Sequence, residues 1–276
     1  MKNGVLTPDE YQAFRTFLED ACGIVLGDNK HYLVVSRLNR LLAEEAIETL
    51  GELVQRLKGA RRDGLRERII EAMTTNETYW FRDGYPFEVL KTRILPELAE
   101  ARAPVRIWSA ACSSGQEPYS ISIAIQEFLG SRPGGLGSVE VVATDISPGI
   151  LKTARDARYD AMAVGRGLSE ERKRRFFIDR GEQWEVRPEI RGRVRVTTAN
   201  LLQSYSLLGR FDVIFCRNVL IYFSSDSKRD IIGRMARALN PGGYLFLGSS
   251  ESITQYSDQF ELVRCNPGVV YRLKSR

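Results

Sequence analysis

From Val105 onward the chain alternates short apolar runs with helical ones, and this alternation restricts the possible folds more than any other feature. VRIWSAA (105–111), VEVVATDI (139–146), VRVTTANLL (194–202), FDVIFCRN (211–218) and GGYLFLGSS (242–250) read as strands. Between them Pro118–Leu129, Pro148–Ala157 and Asp226–Leu239 read as helices. Strands this apolar, each followed by a helix, call for a mostly parallel sheet covered on both faces. At the end, FELVRC, then Asn266-Pro267-Gly268, then VVYRLK read as a hairpin, so the sheet closes with an antiparallel pair.

The stretch from Ala161 to Arg193 is too long for a simple connection. FFID, WEVR and VRVTT, with turns at Gly181-Glu182-Gln183 and Gly192, predict a small antiparallel insert at about residues 172–195. Ahead of the sheet the pattern is helical. Thr7-Pro8-Asp9-Glu10 combines an N-cap, a first-turn proline and a capping-box glutamate, and Tyr11, Phe14, Phe17 and Leu18 follow at helical spacing up to Gly23. Further helices are expected at Lys30–Ala43, Leu50–Lys58 and Gly64–Met73, and a bridging amphipathic one at Tyr85–Arg102. The expected organisation is a helical domain at 1–83 and an α/β domain at 84–276.

Composition removes several classes of function. Hydrophobic residues make up 43%, enough for a sizeable core. No apolar run is long enough to span a membrane, and MKNGVLTPDEYQAF is no secretory leader. Cys22, Cys112, Cys216 and Cys265 form no CxxC pair, which speaks against a zinc site or disulfide framework and for a cytoplasmic protein. The one histidine, His31, has no nucleophile near it in sequence, so triad hydrolases and metalloenzymes start from a weak position and no metal is expected. The net charge of +5 is uneven: residues 151–195 hold 13 Lys/Arg against 8 Asp/Glu, and residues 1–75 hold 11 against 12. A basic middle segment suits an acidic partner or is simply a solvated surface.

In an open parallel sheet, ligands bind beyond the carboxyl ends of the strands. The first strand runs into Ala110-Ala111-Cys112-Ser113-Ser114-Gly115, whose small side chains let a ligand approach the backbone. This is neither GxGxxG nor a P-loop, and Glu117 in the first helical turn would repel a phosphate. Glu117 is either a favourable helix N-terminal charge or an acceptor for a cationic group such as an amino acid ammonium. Asp145, ending the second strand, is either a cap before Ser147-Pro148 or an acceptor for ribose hydroxyls. As a set, the turn, the two acids and the closing hairpin suit an adenosyl ligand with an amino acid tail in a seven-stranded methyltransferase sheet.

Six segments then resemble the CheR family, chemotaxis receptor methyltransferases: TTNETYWFRD (74–83), IWSAACSSGQEPYS (107–120), ATDIS (143–147), NLL (200–202), FCRNVLIYF (215–223) and LNPGGYLFLGSSES (239–252). The resemblance implies a Rossmann-like methyltransferase domain, an all-α N-terminal domain and S-adenosyl-L-methionine as cofactor, with S-adenosyl-L-homocysteine as product. The substrate implied is a glutamate carboxylate on the cytoplasmic helical domain of a methyl-accepting chemoreceptor. Asn76, Thr78 and Arg82 are implied to cover the cofactor, Glu117 to hold its amino acid part and Asp145 its ribose. Asn200 and Leu201 would lie beside the adenine, with Arg217 and Asn218 completing the site. Arg82 and Tyr222 are the implied catalytic residues; a core aromatic role is the alternative for Tyr222. Arg37 and Arg40, and further on Arg61, Arg62, Arg66 and Arg68, are candidates for receptor contact. A monomer without membrane insertion or nucleic-acid binding is expected. A nucleic-acid methyltransferase is an alternative, but the chain has Arg217-Asn218-Val219 where adenine-N6 enzymes carry an Asp/Asn-Pro-Pro-aromatic string, and Phe215 before Cys216 where cytosine-C5 enzymes need a proline. A non-enzymatic cofactor-binding adaptor is the other alternative, and the intact Arg82 and Tyr222 speak against it.

Overall fold

The computed structural model describes residues 7–59, 64–266 and 268–275. Four helices come first: α1 (Pro8–Cys22), α2 (His31–Glu44), α3 (Leu50–Gly59) and α4 (Leu65–Met73). The Thr7 hydroxyl accepts the Glu10 amide while the Glu10 carboxylate takes the Thr7 amide, so the capping box forms. α1 stops at Gly23, at φ 80°, a left-handed cap that glycine adopts without strain. The apolar stripes meet in a core of their own around Phe14, Leu18, Val34, Leu38, Leu53 and Ile69.

The bridging helix is continuous, with a wide turn in its middle. Tyr85–Val89 is α-helical, Leu90–Ile94 is π-helical and Leu95–Glu100 is α-helical again. Pro96 supplies the reason: its ring would collide with the carbonyl four residues back in a regular helix, and a widened turn relieves this.

Ten strands follow: β1 (Val105–Ala110), β2 (Val139–Asp145), β3 (Arg158–Asp160), β4 (Phe177–Asp179), β5 (Gln183–Val186), β6 (Val194–Thr198), β7 (Phe211–Cys216), β8 (Leu239–Leu247), β9 (Phe260–Arg264) and β10 (Val269–Leu273). Seven build one sheet in the order β6-β2-β1-β7-β8-β10-β9. β6, β2, β1, β7 and β8 run parallel, and β10 runs antiparallel to both β8 and β9. This is the seven-stranded sheet with a closing hairpin that the sequence predicts. Ile107, Val141, Val213, Phe215 and Phe246 pack on one face of it and Trp108, Val142, Ile214 and Leu245 on the other. The chain progresses from β1 outward to β2 and β6, then crosses to β7 on the far side of β1. The switch point therefore lies between β1 and β7, where adjoining loops diverge and leave a crevice.

β3, β5 and β4 form the separate small antiparallel sheet. Its third strand is Arg158–Asp160 and not VRVTT. VRVTT is β6, paired in parallel with β2 from Val141↔Val194 to Asp145↔Thr198. Val194 and Val196 there pack near Ala143 and Leu151. A three-residue strand shows no period-two pattern, which is why Arg158–Asp160 does not stand out in the sequence.

Candidate functional site

The turn after β1 is the floor of the crevice. Ala111, Ser113 and Gly115 take left-handed φ values of 57°, 51° and 99°. The turn is stitched to β2: the Cys112 amide donates to Thr144 O at 2.8 Å and the Ser113 amide to Asp145 Oδ2 at 2.9 Å. A Cβ on Gly115 would press against Tyr159 and Ala154, so the glycine serves close packing as well as the turn.

Asp145 is 6% exposed and accepts a second amide bond, from Ser147 at 3.1 Å. Burial nevertheless pushes its carboxyl above the ordinary range, against the lowering effect of these amides. Glu117 is placed by the helix Gln116–Ser131. It accepts from Ser109 Oγ at 2.7 Å and pairs with Arg217 at 3.0 Å, and burial again pushes its carboxyl up against these partners. Two desolvated acids facing one crevice suit a ligand that brings a cation and hydroxyl donors.

Arg217, at the end of β7, has a side chain only 1% exposed. Its Nη1 meets Glu117, and its Nη2 donates to Arg82 O at 2.8 Å and to Asp83 Oδ2 at 2.7 Å. Both terminal nitrogens are thus engaged by the protein, while Nε is buried without a hydrogen-bond partner among the described residues. Through Arg217 the Phe81–Gly84 turn is fastened to Glu117. Phe81 and Asp83 there sit at φ 49° and 66°, conformations that cost non-glycine residues about 1–3 kcal/mol each.

The roof comes from outside the sheet. The Asn200 side-chain Nδ2 donates to Ala21 O at 2.8 Å, the Val25 backbone amide donates to Tyr222 O at 2.9 Å, and Gly23 lies against the Phe223 ring. These contacts close the end of α1 over the loops that follow β6 and β7. The resulting cavity holds about 1010 Å³ counting its open mouth. Asn76, Thr78, Arg82, Glu117 and Asp145 all line it, as do Asn200, Leu201, Arg217, Asn218 and Tyr222, so every residue expected at the cofactor or the reacting centre lies on one surface.

Arg82 is held loosely: it donates to Glu77 O at 3.2 Å, lies 5.4 Å from the Tyr79 ring centre and makes no ion pair among the described residues. Asn218 is left-handed at φ 58°, and Glu251 fixes it by accepting its amide at 2.7 Å. His31 stacks on Tyr11 at 3.7 Å and is not part of the cavity wall. Burial raises the Cys112 and Cys216 thiols well above their ordinary value and the Cys22 thiol to about 11, so none is a ready thiolate.

The receptor-contact candidates fare unevenly. Arg37 donates to Met73 O at 2.6 Å, Thr74 O at 3.0 Å and Thr75 Oγ1 at 2.9 Å, and so caps α4 and steers the chain toward Asn76. Arg40 is 91% exposed and pairs with Glu44 at 2.7 Å. Arg68 pairs with Glu44 and Glu45, and Arg66 lies over Phe17. Arg61 and Arg62 fall outside the described residues. Sequence reasoning did not single out Ser109, Asp83 or Glu251, which hold site residues from other elements, or Cys22 and Ile24, which line the roof.

Among the described residues no group of three or more His, Cys, Asp or Glu side chains is arranged to hold a metal ion. No helix among them is long and apolar enough to cross a membrane.

The fold and the cavity define a methyltransferase-type α/β domain joined to an all-α domain. Residues 76–269 match the family described as CheR methyltransferase, SAM binding domain, and residues 9–74 match CheR methyltransferase, all-alpha domain. The chain belongs to the CheR methyltransferase family. It is 56% identical over 269 residues to chemotaxis protein methyltransferase 1 of Pseudomonas aeruginosa, covering 96% of this chain and 98% of that one. It is 53% identical to chemotaxis protein methyltransferase Cher2 of Pseudomonas putida, with the same coverage. With the chemotaxis protein methyltransferase of Salmonella typhimurium it shares 37% identity over 87% of this chain and 82% of that one.

Proposed function

We propose that this chain methylates glutamate side-chain carboxylates on the cytoplasmic helical domain of methyl-accepting chemoreceptors. The product is a glutamate methyl ester, and the methyl donor is S-adenosyl-L-methionine. The observation that carries this reading is the composition of the cavity. Its interior holds two buried acids, both already engaged by protein donors, and beside them stand Arg82, which makes no ion pair among the described residues, and a phenol, Tyr222, with no histidine in the lining. That set suits an acceptor that arrives already ionised. A glutamate, with an ordinary pKa of about 4.3, is such an acceptor at neutral pH; an amine or alcohol is not.

Glu117 is suited to the ammonium of the cofactor and Asp145 to its ribose hydroxyls. Asn200 and Leu201 are suited to the adenine, under the roof made by Cys22 and Ile24. When bound, S-adenosyl-L-methionine supplies an electrophilic sulfonium methyl. The protein's own part is alignment. Arg82, which makes no close ion pair among the described residues, draws one acceptor oxygen into line through a single contact and does not fully neutralise it. Tyr222 donates a hydrogen bond beside it, and the α1 roof keeps water out. Alignment of this kind supplies on the order of 7–11 kcal/mol. The test is transfer of labelled methyl to a receptor cytoplasmic fragment, followed by mild base. Base-labile label on glutamate supports the reading. Base-stable label, or transfer to nucleic acid instead, overturns it.

A further inference from the structure

The segment that carries Asn76, Thr78 and Arg82 leans along the small β insert. Trp80 is fully buried between Tyr159 of β3 and Phe177 of β4, each 5.0 Å away and nearly perpendicular. Its indole N–H donates to Ala163 O at 3.1 Å, and its amide donates to Arg166 O at 3.2 Å. The next residue, Phe81, lies in the left-handed region and turns the chain so that Arg82 and Asp83 reach the cavity. Its amide donates to Ser120 Oγ at 3.1 Å, and its ring centre lies 5.1 Å from that of Phe87 in an edge-on pair. The guanidinium of Arg172, from the helix Glu170–Phe176 of the insert, lies 3.7 Å from the ring centre. Arg172 cannot swing away, because Glu127 accepts from its Nε at 2.7 Å and from its Nη2 at 3.0 Å.

We propose that Arg172 is a positioning residue for Arg82, acting through the face of Phe81, and that the β insert is the platform on which the acceptor-aligning loop is set. A planar guanidinium held edge-on by a carboxylate presents a flat face to an aromatic ring, which a lysine cannot do. Clamped by Ser120 and Arg172, Phe81 keeps its strained turn. Released, it relaxes to a right-handed or extended conformation, and Arg82 leaves the line of attack.

The test uses the full chain with Arg172→Met, Arg172→Lys and Phe81→Leu, and has two independent readouts. In amide hydrogen exchange, Arg172→Met is expected to speed exchange at residues 79–84 by about tenfold while the sheet stays protected. In methyl transfer to a receptor fragment, kcat is expected to fall about 10- to 100-fold, a clearly larger loss than that in affinity for S-adenosyl-L-homocysteine. Arg172→Lys should behave like Arg172→Met, and Arg172→Met with Phe81→Leu should be no worse than either alone. Unchanged exchange at 79–84 overturns the proposal whatever the chemistry. So does a kcat within about twofold of the parent, full rescue by lysine, multiplying losses in the double variant, or parallel losses of kcat, cofactor affinity and Tm. The kinetic arm rests on the carboxyl-methylation reading. If the parent itself transfers no methyl to receptor carboxylates, that reading fails and the exchange measurement alone decides this one.

Discussion

Asp145→Asn isolates the proposed ribose contact with almost no change of shape. Asp145 already accepts amide hydrogens on both oxygens, from Ser113 at 2.9 Å and from Ser147 at 3.1 Å. An asparagine has one acceptor oxygen and one donor nitrogen, so one of those two amides must face another N–H. That mismatch costs about 1–3 kcal/mol, partly offset because a buried charge is removed. For the cofactor, two ribose hydroxyls would exchange a carboxylate for an amide. Hydrogen bonds to a charged group contribute about 1.5–3 kcal/mol each, and losing the charge removes roughly half. The total is about 1.5–3 kcal/mol, or about 10- to 150-fold in affinity. Calorimetric titration with S-adenosyl-L-homocysteine reads it directly. A 2′,3′-dideoxy analogue supplies the control, since it should bind the parent weakly and lose little more in the variant. Binding of the natural product within about threefold of the parent, or an equal loss for the analogue, would refute the assignment of Asp145 to the ribose.

Three further outcomes follow from the same geometry. Arg82→Ala should lower kcat by about 100-fold while Tm stays within about 2 °C, since among the described residues its side chain makes one long backbone bond and no ion pair; unchanged receptor methylation removes Arg82 from the reaction. Burial raises the Asp145 and Glu117 carboxyls above their ordinary values, so the fold favours their protonated forms, and ionising them costs stability at neutral pH that is regained as pH falls through the raised values. The product should bind the ionised forms, so its affinity should be level at neutral pH and fall in the acid range at a pH above those ordinary values; calorimetry showing no loss until below them would contradict this. Gly23→Ala forces a left-handed alanine, costing about 1–2 kcal/mol, and drives a Cβ into the Phe223 ring, costing about 1–3 kcal/mol more. Tm should drop by several degrees and product affinity should weaken together with it, and a variant that melts like the parent would show that the roof contact is slack.

The sheet was legible because its apolar strands are long and regular, and the floor of the cavity because the small residues Ala110–Gly115 stand where the first strand turns into a helix. Glu117 and Asp145 were legible for the same reason, being charges at the ends of apolar elements. What escaped has a common cause. Asp83 gains its role from Arg217, 134 positions away, and Ser109 is defined by Glu117 on the next helix. Asn200 meets α1 across 179 positions. Pairings of this kind leave no local period. Arg37 illustrates the converse: a basic residue on a helix looks like a surface charge until the end of α4 arrives beside it. The strand Arg158–Asp160 is too short to alternate, and VRVTT suits either sheet until the bare edge of β2 claims it.

The order of the large sheet also fixes how it ends. Its two outermost strands, β6 and β9, are five residues each, and both carry charges on their length: Arg195 on one, Glu261 and Arg264 on the other. Arg195 is tied to Glu140 of the neighbouring strand at 2.8 Å and stays on the surface. Short edges with charged side chains are poor templates for a foreign strand. The large sheet thus offers little exposed backbone at its two edges on which a second chain could add a strand.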